Sequence, residues 1–450
     1  MELNMKSGFS RICITPPLGV AISGYYEERY TKGVLDDLYV NAVSFSDGAV
    51  RACIITVDVC LLSTEQCDYA RRLVSERTGV EQKAIFINCS HTHTGPIIGT
   101  KSFAHQSGDA GYDEFFYESI VKAAAESFVD MREVKLSVGC GRAERISFIR
   151  RFRMKDGGVQ TNPGVNNPNI DHALGTPNDT VKVLKVERDD GENYVFVNFG
   201  THADTVGGEY ISGDWPAFVR ETVESALENT KCLFILGAQG DVNHINPAPT
   251  AGDRKGLDYD SFDGVPRGYE HAKHMGRKVA GAVLGIVDKT EPVASDKISY
   301  GTKKISIPSN QDNARLEEAK RISALYDAGR AHELPYEKME LTTVVAEANR
   351  IVGLEHGPVS YDFVLSALKI GDAVLAGLPG ECFVDIGRTI EREYGSDSVF
   401  VCCLTNGGDT YFPTSSAYDE GGYEARSSRL KKGGDKILTD GMAELLREVQ

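Results

Sequence analysis

"RACIITVDVCLLSTEQCDYARRLVSERTGVEQKAIFINCS", residues 51–90, decides the fold class. An apolar, β-branched run is followed by a helical stretch and then by a second apolar run. That order is strand, helix, strand, the grammar of a βαβ unit. The same order recurs at "YVFVNFG", "DWPAFVRETVESALENT" and "CLFILGAQ", residues 194–239. Asp214 at the start of that helix and Pro216 in its first turn are start signals. A third copy runs through "AVLAGLPG", "ECFVDIGRTIEREYG" and "VFVCCLTNGG", residues 373–408. The fold class is therefore α/β.

Two stretches interrupt this order. Residues 145–182, rich in Asn, Pro and Gly, read as a long ordered loop of the kind that often carries function. Residues 309–352 are charged and helical in period. They read as a solvated helical insertion without chemistry.

The composition excludes several function classes. At 450 residues, 41% hydrophobic and 25% charged, the chain can bury a sizeable core. A net charge of −16 argues against nucleic acid or an anionic membrane as partner. No run of 18 apolar residues appears, so no membrane span is expected. The opening "MELNMKSGFSRICITPP" has no apolar signal segment. Ten Cys are scattered, several inside apolar strands. They read as buried, reduced thiols of a cytoplasmic protein.

Five apolar strands end in unusual polar groups, and ligand sites of α/β sheets collect at such carboxyl ends. The first ends at His91 and His93 and the second at His202 and Asp204. "GAQGDVNHINP" brings Asp241, Asn243 and His244. "LPGE" brings Glu381. "TNGGDTYFPTSSAYDEGGYEA" brings Tyr411, Tyr418 and Tyr423. Imidazole and carboxylate are good Zn²⁺ ligands, and a hydrolytic zinc site keeps one position for water. His91 and His93 are expected to face apart, one ligating and one turned to the substrate. His271 and His274, in "HAKH", read as helix surface. His105, His172, His332 and His356 have no supporting neighbours.

In this order, "SHTHTGP", "GTHADTVGGEYISGD", "GAQGDVN", "LPGE" and Y-x6-Y-x4-Y resemble the catalytic domain of the neutral (non-lysosomal) ceramidase family. The opening "GFSRICITPPLGVAISGYY" and "DDLYVNAVSFSDG" look like that family too, so the resemblance spans roughly residues 8–430. It implies a large mixed-sheet α/β catalytic domain over 1–450, without the family's C-terminal Ig-like domain. It also implies a zinc amidase, since these enzymes cut the amide of N-acylsphingosine. By position, the resemblance makes His91, His202, Glu381 and Tyr411 the zinc ligands. His93, Arg150 and Tyr423 fall where that family stabilises the oxyanion, with Arg151 an equal candidate beside Arg150. Asp241, Asn243, His244 and Arg151 are expected behind them or against substrate.

The chain departs from the family at "GDVN", where Asn243 replaces a serine proposed as nucleophile. Metal-activated water must then attack. The expected substrate is a small, water-soluble N-acyl compound with a linear amide, and Arg150 and Arg151 would favour one that carries a carboxylate or other anionic group. The alternatives are a metal-dependent hydrolase of an ester, lactone or cyclic amide, or a catalytically silent binding protein. Oligomeric state stays open, a homo-oligomer included.

Overall fold

All three strand–helix–strand units close as parallel pairs. The computed structural model describes residues 5–99, 106–189, 191–311, 314–395, 398–408 and 410–450; His105 lies outside them. Strand Arg51–Val57 pairs with Ile85–Cys89, Asn193–Phe199 with Thr230–Leu236, and Ala373–Gly377 with Val399–Cys402. The first crossover helix, Thr64–Thr78, starts at a capping box between Ser63 and Gln66. It stops at Gly79, whose φ of 72° is the left-handed conformation a helix end favours. In the second, Asp214 itself holds φ 58°, and its carboxylate accepts from the Val206 and Trp215 amides.

The first two units sit at opposite edges of one nine-stranded mixed sheet. Its order runs from Thr230–Leu236 through Asn193–Phe199, Thr180–Arg188, Arg132–Arg142, Lys6–Cys13, Tyr39–Ser46 and Arg51–Val57 to Ile85–Cys89, and a ninth short strand, Glu291–Pro292, pairs with Arg132–Arg142 off this path. The inner strands are antiparallel. The third unit belongs to a second sheet, in which Ile298–Pro308 and Ser360–Ile370 continue from Ala373–Gly377. Parallel strands covered on both faces are near-continuous apolar runs, and Ile85–Cys89, apolar but for Asn88, is buried at every position.

A polar seam joins the two sheets where three strands end. The Asn88 amide donates to the Cys403 carbonyl at 2.7 Å and accepts from the Leu236 amide at 3.0 Å. The Cys403 amide donates to the Leu236 carbonyl at 2.9 Å. Asn198 repeats the device, donating to Ile235 and Val401. Buried amides of this kind must be satisfied, and doing so brings the carboxyl ends of all three units to one place.

Two expectations are corrected. The 145–182 stretch is not a loop throughout. It holds a three-stranded antiparallel sheet of Ile170–Ala173, Arg151–Met154 and Val159–Thr161, turned at Gly157 with φ 88°. The 309–352 insertion comprises helices Leu316–Asp327 and Lys338–Leu354 at the tip of the antiparallel pair Ile298–Pro308 and Ser360–Ile370. It is not merely solvated. Ile322, Val344, Val345 and Ile351 form a core of their own beneath it. Eight of the ten cysteines are buried; Cys13 and Cys140 are exposed, and all ten are free thiols. No helix among the described residues is long and apolar enough to cross a membrane.

Candidate metal centre

His91 follows strand Ile85–Cys89 by two residues and holds φ 67°, a left-handed conformation rare outside glycine. Such strain persists where the surroundings over-determine it. Here the His91 amide donates to the Val59 carbonyl at 3.1 Å, and ring Nδ1 donates to the Cys60 carbonyl at 2.8 Å. A carbonyl only accepts, so Nδ1 carries the proton and Nε2 keeps its lone pair. His202 is fixed the same way, its Nδ1 facing the Gln239 and Val242 carbonyls at 2.8 and 3.0 Å.

Both free lone pairs point at one oxygen. Glu381 Oε2 lies 3.2 Å from His91 Nε2 and 3.1 Å from His202 Nε2. Glu381 and Tyr411 are register partners in a short parallel pair, Glu381–Cys382 with Tyr411–Phe412. That pairing carries the Tyr411 hydroxyl to 3.4 Å from His202 Nε2. His91, His202 and Glu381 are all buried, and their ligand atoms lie within 4.8 Å of one another.

The donor set fits a metal. Ligand atoms around a tetrahedral zinc, bonded at about 2.0–2.1 Å, lie roughly 3.3 Å apart, close to the separations of Glu381 Oε2 from His91 and His202 Nε2 and of His202 Nε2 from the Tyr411 hydroxyl. The electrostatics agree. Burial alone would push Glu381 up, yet His91 and His202 hold it well below the usual carboxylate range. Burial alone would push His91 down, yet Glu381 and Cys60 hold it well above. A buried acid between two imidazoles is a setting that would accommodate a cation.

The expectation that His91 and His93 face apart is corrected. Their Nε2 atoms are 3.3 Å apart, because the left-handed turn at His91 breaks the extended path. His93 nonetheless lines the cavity beside the cluster, and its Nδ1 is buried with no partner. Gly24 makes room for it. A Cβ there would sit 2.7 Å from His93 Cα, Cβ and Cγ, so no larger residue fits.

Arg150 and Arg151 separate. Arg150 lines the cavity, donating from Nη2 to the Tyr411 hydroxyl at 3.2 Å and from Nε to Glu424 at 2.6 Å. Arg151 turns away to Glu420 at 3.0 Å and the Gly421 carbonyl, with its guanidinium over the Phe383 ring. Both arginines are engaged by acids of this chain. The pair therefore does not form the anion-recognition site expected from the sequence.

The remaining expected residues lie around this centre. Tyr423 lines the cavity, its ring 5.7 Å from that of Tyr411. Asn243 stands behind the cavity wall, donating to Asn162, which lines it, and accepting from the Ile245 amide. His244 places Nδ1 3.2 Å from Asp204, a cavity residue, and Nε2 2.7 Å from the Pro266 carbonyl. His271 and His274 are not plain helix surface. With His244 they line a second cavity of about 430 Å³ on the far side of that histidine.

Asp241 anchors the segment after Glu381 by accepting from the Val384 amide at 2.8 Å. Burial, with a smaller push from Glu424, drives its carboxyl up to about 7. An acid raised in the fold and near 3.9 when unfolded stabilises the protein only while protonated. Stability is expected to fall between about pH 4 and 7 and level off above. Asp241→Asn keeps the acceptor and loses the charge. It should be more stable than wild type at pH 8 by at most about 4 kcal/mol, with the gap gone by pH 4. Urea unfolding across that range measures this; a gap that does not change with pH refutes it.

Several wall residues carried no signal in the sequence: Tyr25, Tyr26, Phe262, Arg267, Met339 and Thr342. Tyr25 sits between two guanidinium groups, Arg29 at 4.3 Å and Arg267 at 4.2 Å from its ring centroid. Met339 and Thr342 come from the helical insertion, so that segment does reach the site.

No family model matches the chain, and no curated protein matches it by sequence. Solved structures do match. Neutral ceramidase from Pseudomonas aeruginosa superposes with a TM-score of 0.73 at 17% identity, over 100% of this chain and 75% of that one. A ceramidase complexed with C2 superposes with a TM-score of 0.72 at 15% identity, over 100% of this chain and 76% of that one. The resemblance read from the strand-end motifs thus holds at the level of the fold: this chain has the mixed α/β architecture of the neutral ceramidases, along its whole length.

Proposed function

We propose that the protein is a zinc-dependent hydrolase of a linear amide in a small, polar N-acyl compound. The observation that carries this reading is the convergence of His91 Nε2, His202 Nε2 and Glu381 Oε2, with the Tyr411 hydroxyl 3.4 Å from His202 Nε2. Zinc bound there would polarise a carbonyl and lower the pKa of water to near 7. The residues of the chain do the rest. His91 and His202 are oriented by backbone carbonyls, and Arg150 holds the Tyr411 oxygen in place. Tyr423 and His93 present polar atoms to the same cavity and are placed to stabilise developing charge on the amide oxygen. Oriented donors of this kind are worth about 3–4 kcal/mol each. Tyr25, Tyr26, Phe262 and Met339 exclude water from the reacting atoms.

Asn243 has no nucleophilic hydroxyl and its side chain is spent on Asn162 and Ile245. It joins two loops and takes no part in bond cleavage. The test is an assay of zinc-loaded enzyme on N-acyl amino acids and N-acyl amino sugars beside short- and long-chain ceramides. Turnover is expected on the polar panel, with long-chain ceramide cleaved poorly or not at all. Asn243→Ala should keep activity within about tenfold, the loss being one of loop positioning. Efficient ceramide cleavage with no polar turnover overturns the substrate class. A trapped acyl-enzyme overturns attack by water.

A further inference from the structure

The cavity beside the metal cluster is small, and the helical insertion makes it so. Its volume is about 70 Å³. An engineered cavity of about 150 Å³ holds one benzene molecule, so about half that volume suits a group of two or three heavy atoms. The cavity that His91 and Glu381 line is walled also by Tyr26, Phe262 and Met339. Met339 lies in the first turn of helix Lys338–Leu354. Phe262 lies in the loop before Arg267. The two elements touch: a Cβ on Gly264 would sit 2.8 Å from Lys338 Cδ.

This wall is fastened down. Arg426 pairs with Glu340 at 3.1 Å and Glu347 at 2.8 Å, tying the insertion to helix Tyr423–Ser427. Arg350 donates to the Arg426 carbonyl at 2.7 Å and to the Asn310 carbonyl at 2.9 Å. Beneath, Tyr26 packs on the core of the insertion, its ring 6.2 Å from that of Tyr326. The helix carrying Met339 is thus locked to the helix carrying Tyr423.

We infer that Met339 and Phe262 determine specificity by limiting the acyl group to formyl or acetyl. The inference rests on the amide-hydrolase reading above. Leu61, Val265, Phe262 and Met339 give the cavity an apolar wall, which suits a short alkyl group. A longer chain must displace a fastened wall, and forcing extra methylenes into a packed site is strongly unfavourable.

The experiment compares kcat/KM of zinc-loaded wild type, Met339→Ala and Phe262→Ala on one amine acylated with acetyl, butanoyl and hexanoyl groups. Wild type should lose at least about tenfold from acetyl to hexanoyl. Each variant should reduce that loss to about threefold or less. Phe262 is 40% exposed, so its truncation leaves folding intact even if Met339→Ala does not. Calorimetric titration with acetate and hexanoate reads the same limit without turnover: wild type should bind acetate and not hexanoate, and the variants should bind both. A flat chain-length profile, or variants with the wild-type profile, overturns the size limit and leaves the hydrolase reading standing. Absence of amide cleavage with acetate-selective binding overturns the hydrolase reading and leaves the size limit standing.

Discussion

His202→Ala is expected to lose most of its bound metal. Purified without chelator, the wild-type protein should carry about one zinc per chain, and the variant less than about a tenth of that. The expectation follows from geometry. His202 Nε2 is the lone pair nearest both Glu381 Oε2 and the Tyr411 hydroxyl, at 3.1 and 3.4 Å. Residues that merely orient a ligand are worth about 10–100-fold in metal affinity, and a ligand itself more. Binding to the folded state alone adds stability by mass action, about 4 kcal/mol at a thousand times the dissociation constant. Added zinc should therefore raise the melting temperature of stripped wild type and leave that of His202→Ala nearly unmoved. The Trp215 indole bonds the backbone carbonyl of His202, not its ring, so the fold should survive the substitution. Elemental analysis and thermal unfolding decide. A wild type with no transition metal and no response to zinc would end the metal reading.

The parts of this site that were legible from sequence share a property. His91, His202 and Glu381 each follow a strand whose apolar run announces itself locally, so both the strand and its polar end could be read. The three βαβ units were legible for the same reason. What was not legible depends on distant pairing. Arg151–Met154 and Val159–Thr161 read as loop because they are short, and Ile170–Ala173, which completes their sheet against Arg151–Met154, lies beyond an Asn- and Pro-rich turn. The helical insertion showed its helices but not its buried face, since Met339 and Thr342 matter only once Tyr26 and Phe262 line the same cavity. The orientation of His93 turned on one left-handed residue, His91, which no propensity predicts. Arg150 and Arg151 are neighbours with the same chemistry. Only the position of the helix Tyr423–Ser427 assigns one to the cavity and the other to Phe383 and Glu420.

That helix carries Glu424, which no local pattern singled out and on which the centre depends. Its carboxylate is fully buried between two guanidinium groups, accepting from Arg150 Nε at 2.6 Å and lying 3.9 Å from Arg151 Nε. Its other oxygen accepts from the Thr161 hydroxyl at 3.0 Å, and that hydroxyl oxygen accepts from the Tyr423 amide at 3.0 Å. One carboxylate therefore sets the arginine that holds Tyr411 and the turn that presents Tyr423. Glu424→Gln keeps the shape and removes the charge, leaving Arg150 buried without its counter-ion. Breaking a buried pair from one side costs about 3–5 kcal/mol. Glu420→Gln makes the same chemical change against Arg151, but Glu420 retains 23% exposure and the Gly421 carbonyl still accepts from the same Nη2. Its cost should stay near 1 kcal/mol. Urea unfolding of the two variants side by side measures the difference. Glu424→Gln should also lower zinc occupancy, because Arg150 is then free to leave the Tyr411 oxygen. Equal small losses in both variants would show that Arg150 finds another partner and that Glu424 does not organise the centre.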